Sequence, residues 1–191
     1  ADAYKNALAP SGILSIAASL AVGGGAVAGA LAVNHLTGHV QTQVENVTIS
    51  ANVVNFLSGM SGAVQSYVVG AAGGGLGLAG AIGVNTIAGH TQTQVTNASL
   101  TLKGNSTVAA TQDLNRTALT GTVAAGAIAG GFGLVVNTLS GNVAATVTGG
   151  SITAGSGAFD VLAMRTGTIR AYAIGVSLGL LGALGGGVAV N

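Results

Sequence analysis

Of 191 residues only 5% are charged and 49% are hydrophobic, with 34 glycines, no cysteine and a formal net charge of +1. Soluble domains carry about a quarter charged residues, so the composition leaves a membrane protein, a low-complexity chain or a β-solenoid wetted by Thr, Ser, Asn and Gln. The near-neutral balance gives no electrostatic reason to expect nucleic acid or anionic lipid, and a chain without cysteine suits passage unfolded through a secretion pore.

The chain opens on Ala1-Asp-Ala-Tyr-Lys-Asn6, which is neither the basic nor the apolar part of a signal peptide. Pro10 precedes the first long apolar run, where it interrupts no ladder. That run ends at Asn34, and the same Gly- and Ala-rich phrase closes at Asn85, Asn137 and Asn191, at intervals of 51, 52 and 54 residues. The text after each Asn also recurs: Asn34-His-Leu-Thr-Gly-His-Val-Gln-Thr-Gln-Val44 is answered by Asn85-Thr-Ile-Ala-Gly-His-Thr-Gln-Thr-Gln-Val95 and more loosely from Asn137. Such self-similarity marks a solenoid, in which each unit buries its apolar face against its neighbours. Residues 1–191 therefore read as a single β-solenoid segment with repeats of about 52 residues, and the ending on a repeat phrase suggests a piece of a longer array.

Four charge-free apolar runs, residues 12–34, 66–85, 117–137 and 171–191, have the length of membrane-spanning helices. Their residue order favours strands. Val27, Leu31 and Val33 share one parity while Ala26, Ala28, Ala30 and Ala32 fill the other; Leu76, Leu78, Ile82 and Val84 alternate in the same way with Gly77, Ala79, Ala81 and Gly83. A helix in lipid has no reason to sort large from small residues by parity. Trp is absent and no Lys or Arg cluster flanks the runs. Short Val/Thr pieces at residues 47–50, 99–102, 106–109 and 151–154 are separated by turn residues at Gly38, Gly89, Gly104-Asn105, Gly141-Asn142 and Gly149-Gly150.

With coils of roughly 20 to 26 residues, each repeat would hold two coils and the chain roughly eight. The large parity, Leu31 and Ile82 included, is expected to point inward. Ala26, Ala28, Ala30, Ala32, Ala79, Ala81, Ala127 and Ala129 then form a smooth outward strip open to self-association or to cover by another segment. Glu45, Lys103, Asp113, Arg116, Asp160, Arg165 and Arg170 fall outside the runs, at turns or on solvated faces.

The strand ending in Val-Asn (residues 30–34, 81–85 and 188–191), the Thr/Gln strand after it and the Val/Thr pieces together resemble the passenger repeats of large secreted bacterial adhesins of the filamentous-haemagglutinin-like and leukotoxin-type filamentous kind. The likeness runs from Gly12 to Asn191. It implies an all-β, parallel right-handed β-helix displayed outside the cell, anchored at the outer membrane after autotransporter or two-partner secretion, with roles in cell adhesion and virulence and a host-cell or bacterial surface receptor as partner.

Candidate chemistry is sparse. Gly75-Leu-Gly77-Leu-Ala-Gly80 spells a dinucleotide loop, but the acidic residue about 20 positions later is missing. His39 and His90 occupy equivalent repeat positions and His35 lies nearby, yet no Cys or carboxylate cluster completes a zinc set. Asp2, Glu45, Asp113 and Asp160 form no close pair for glycoside chemistry. Gln41-Thr-Gln43 and Thr91-Gln-Thr-Gln94 read as a solvated face, Asn46, Asn97, Asn105 and Asn115 carry the glycosylation spelling, and Asn34, Asn85, Asn137 and Asn191 read as turn residues. No catalytic, cofactor or metal site is expected. The expectation is a non-catalytic stalk or display segment of a secreted surface adhesin. The alternatives are an integral membrane four-helix protein and a fragment of a secreted toxin that contacts host membranes.

Overall fold

The computed structural model describes the chain from Ala3 to Asn191, with side chains from Gly12 onward; Ala1 and Asp2, and with them the readings made at the extreme start, lie outside the described residues. The elements are β1 (Ala3–Glu45), β2 (Thr48–Ala51), β3 (Val54–Leu102), β4 (Ser106–Ala154), β5 (Phe159–Thr166) and β6 (Ile169–Val190). All pairings are parallel and join the six into one sheet. The four apolar runs are strands, as their parity requires, and among the described residues no helix is long and apolar enough to cross a membrane. Pro10 falls inside β1, on the edge of the sheet, where a missing N–H is tolerated.

The register sets the architecture. Asn34 pairs with Asn85, and Asn85 with Asn137, so each residue stacks on its counterpart one whole repeat away. One repeat is therefore one rung. The chain makes four rungs: β1 with β2, then β3, then β4, then β5 with β6. This corrects the expectation of two coils per repeat and about eight in all. The cause is that Gly38 and Gly89 do not turn the chain but lie within long strands. A Cβ on Gly38 would stand 2.7 Å from Met60 Cε, so its bareness makes room for that side chain. Turning falls instead to Asn46 and Asn97, which hold positive φ angles of 52° and 51°, and to Gly149 at the same corner of the third rung, with φ 68°. Asn and Gly are the residues that adopt this left-handed conformation most readily.

Within a rung the strand doubles back at its glycine tip, residues 73–75 in β3, so that two long arms face each other through their side chains. Asn85 reaches Ser66 across the gap, and Ser58 reaches Thr93. The arms converge toward the tip. At the wide base the core holds Val54, Phe56, Val95, Leu100 and Val108. Halfway along it is Val40, Met60, Val64, Ile87 and Leu114. Next come Ala32, Val68 and Ala81, and at the tip only alanine remains, among them Ala26, Ala28, Ala72, Ala79, Ala124 and Ala129. A Cβ on Gly70 would fall 2.6 Å from the Gly80 carbonyl oxygen, so near the tip there is no room for even a methyl group at that point.

That taper reverses the expected facing of the strands. The Ala parity points inward, with Ala81 fully buried, while Leu31 and Ile82 are 61% and 39% exposed. Large side chains are excluded from a gap this narrow, since ordinary stacked sheets need ~10 Å, and they turn outward. The alanine strip is thus the seam of the fold and not a free contact surface.

One rung per repeat makes the array modular in whole repeats only. Excising residues 86–137, which joins Asn85 to Thr138 in unchanged register, should leave a folded chain with the same strand-rich circular dichroism spectrum. Excising half as much, residues 86–111, should destroy cooperative unfolding. Equal tolerance of both deletions would contradict the one-rung register.

Candidate functional surfaces

The most ordered polar feature is a ladder of asparagines at mid-arm. Asn34 Nδ2 donates to Asn85 Oδ1 at 2.7 Å, Asn85 Nδ2 to Asn137 Oδ1 at 2.9 Å, and Asn137 Nδ2 to Asn191 Oδ1 at 2.9 Å. The same amides bridge the arms: Asn34 Nδ2 donates to Ser15 Oγ at 2.8 Å and Asn85 Nδ2 to Ser66 Oγ at 3.3 Å. In the third rung the position equivalent to Ser66 is Ala118, and Asn137 Nδ2 donates instead to the Arg170 carbonyl at 3.5 Å. Asn34, Asn85 and Asn137 are buried in strand interiors, which corrects their reading as turn residues, whereas Asn191 follows the end of β6 and is exposed. Parallel stacking at one repeat per rung brings identical amides to hydrogen-bonding distance, and Asn85 and Asn137 each both donate and accept, so the chain of dipoles is mutually reinforcing.

Below the ladder, toward the base, the outer surface is polar. His39, Gln41 and Gln43 point outward, with His39 Nε2 and Gln41 Oε1 at 3.3 Å and Gln41 Nε2 donating to Gln43 Oε1 at 3.3 Å. The intervening threonines point inward. Thr42 Oγ1 donates to the Leu57 carbonyl at 2.8 Å and Thr93 Oγ1 to that of Ala109 at 2.6 Å, tying the first rung to the second and the second to the third. His39 and His90 stack on adjacent rungs with ring centroids 6.3 Å apart. Among the described residues no group of three His, Cys, Asp or Glu stands close enough to hold a metal ion. The Gly75–Gly80 spelling occupies the tip and the start of an arm, where small residues serve the close approach of the two arms. Asn46 and Asn97 sit at the corner and touch through their side chains, Asn97 Nδ2 donating to Asn46 Oδ1 at 3.4 Å.

Arg116 departs from its expected solvated position. It lies in the inward row between Val64 and Ile169 and is 1% exposed, and among the described residues none of its three guanidinium nitrogens has a hydrogen-bond partner. Burial pushes its pKa down, and the positive charge of Arg165 pushes it further the same way. Position parity, not hydropathy, decides this placement: the strand carries whatever residue occupies the row into the core.

Above the ladder both outer faces are apolar. One bears Ile16, Leu20 and Val22 and the rows stacked on them; the other bears Val27, Leu31 and Val33 and their rows. On the second face an open groove of about 610 Å³ crosses all four rungs, lined by Val27, Leu78, Gly130, Phe132 and Leu184 among others.

The two buried polar features should respond oppositely to removal. Asn85→Leu breaks the ladder in its middle and leaves amides and a serine hydroxyl unpaired, at about 1–3 kcal/mol for each group left unsatisfied. Arg116→Val, which copies the residue one rung below, removes an unpaired buried charge and should raise stability by about 1–4 kcal/mol. Urea denaturation of both variants checks the pair; a destabilised Arg116→Val would mean that the guanidinium has a partner in solution.

Comparison with models of known families, with curated proteins and with solved structures returns no match.

Proposed function

We propose that this chain is a non-catalytic structural segment of a secreted bacterial surface adhesin, a stalk or display slab that holds other parts of its protein away from the cell. The observation that carries the reading is the rung register. The second repeat places its Asn85, its inward Thr93 and its corner Asn97 directly on Asn34, Thr42 and Asn46, and the third places Asn137 on Asn85 and its corner Gly149 on Asn97, so rungs of this kind can be added without a new core being invented. A structure that gains about 4.8 Å per added rung grows as a wide ribbon, stiff because every rung is hydrogen-bonded along its whole length. The resemblance to filamentous adhesin passengers supplies the secreted setting, the right-handed winding, the outer-membrane anchorage and the surface receptor, and the cysteine-free composition agrees with export in an unfolded state.

The experiment is surface labelling. Antibodies raised against the purified segment should stain intact producing cells, and external protease should remove the signal. Staining that appears only after lysis would overturn the reading.

A further inference from the structure

Between the asparagine ladder and the glycine tip the fold is inside out. Ser15, Ser19, Ser66, Thr120, Thr122 and Ser177 all lie in inward rows of that zone, while the outward rows are hydrocarbon. A chain folded against water places its hydroxyls the other way round. No charged residue occurs in residues 12–34, 66–85, 117–137 or 171–191. Exposure is high where bulk is greatest: Leu20 is 77% exposed and Leu180 93%.

Three observations identify what covers these faces. First, the apolar zone ends at one height on both sides. On the first face the row Leu14, Gln65, Thr117, Arg170 marks the border; on the second it is the row His35, Thr86, Thr138; both lie next to the level of the Asn ladder and its serine partners. Second, Tyr67 and Tyr172 stand in the outward row just inside the border of the first face, the position that amphipathic rings take at a membrane surface. Third, from Ser66 to the tip the arm is eight or nine residues long, about 26–30 Å at 3.3 Å per residue, which matches the ~30 Å hydrocarbon thickness of a bilayer. A second copy of the chain laid on one face would leave the other bare, whereas a lipid phase covers both faces and the tip at once.

We propose that the tapered half of the slab is a lipid-contacting wedge that enters the hydrocarbon of a bilayer up to the level of the asparagine ladder, with the His, Gln and Thr surface of the base left in water. The net charge of +1 supplies little electrostatic attraction, so the contact is with the acyl region and does not depend on anionic headgroups. Between rungs the backbone is already paired, as immersion demands, whereas the outer edges of β1 and β6 carry polar groups that hydrocarbon does not satisfy, so the immersed stack pairs these edges with those of another copy. The inference goes beyond the stalk reading and does not need it: surface display can hold while lipid contact fails, and the reverse.

The test uses the full chain and vesicles of zwitterionic phosphatidylcholine. Single cysteines are placed at Val69 and Ile82, one on each outer face, and at Gln41 on the base, each carrying an environment-sensitive fluorophore. The chain should float with the vesicles. Labels at positions 69 and 82 should shift to the blue and be quenched by brominated acyl chains, and the label at 41 should do neither. Val69→Lys with Ile82→Lys should lower the floated fraction at least tenfold. If that variant loses its strand spectrum, Val69→Thr with Ile82→Thr, which keeps the β-branched shape, should lower it in the same direction. Absence of flotation, shielding of one face only, or blue-shifted labels without vesicles in a chain that sediments as a dimer would overturn the proposal, the last in favour of a second copy as the cover.

Discussion

Two arms that converge until only alanine, glycine and small hydroxyl side chains fit between them are the constraint on which the rest of this structure depends. Phe56 and Leu100 fill the base, Val64 and Ile87 the middle, and Ala72 and Ala79 the tip. Since a strand alternates its side chains between two faces, a narrowing gap that admits only small residues sends the large ones outward. The apolar exterior is thus a direct consequence of the taper. Stability in such a stack comes from many modest contacts repeated between rungs, in place of one central core.

Parallel in-register stacking supplies what the thin core cannot. Along the ladder Asn34, Asn85, Asn137 and Asn191 repeat a single hydrogen bond, and Ser15 and Ser66 extend it across the arms. A slip by one residue would expel the asparagines to the outer face and bury the bulky row in a gap that cannot hold it. Narrowness and ladder therefore specify the same register by different physics, one steric and one polar. Arg116 shows how strong that specification is, because a guanidinium without a partner among the described residues is held inside by the strand that carries it.

Much of this was legible from residue order. The repeat of Asn34, Asn85 and Asn137 gave the solenoid, and the parity sorting of Leu78 and Ile82 against Ala79 and Ala81 gave strands in place of membrane helices. Which parity faces inward was not legible, because hydropathy assigns Ile82 to the core and nothing local reports the distance between two arms joined at Gly73-Gly74-Gly75. The rung count failed for a related reason: Gly38 and Gly89 have the composition of turns, and only the partner across the gap, Met60, explains them as clearance within a strand. Asn46 and Asn97 were recognisable as Asn in a repeat, but their left-handed φ angles follow from the corner at which the chain turns out of the second arm, between Glu45 and Thr48 in the first rung.

The inverted wedge joins the fold to both functional readings, since the same taper that makes a stackable slab also exposes its hydrocarbon. Its most direct test is a thiol scan along one arm, which the natural absence of cysteine makes clean. Single cysteines at positions 78 to 84 of the lipid-free chain, reacted with a small hydrophilic maleimide, should label rapidly at Leu78, Ile82 and Val84 and slowly at Ala79, Ala81 and Gly83. The opposite alternation, with the alanine positions reactive and the bulky ones protected, would contradict the account.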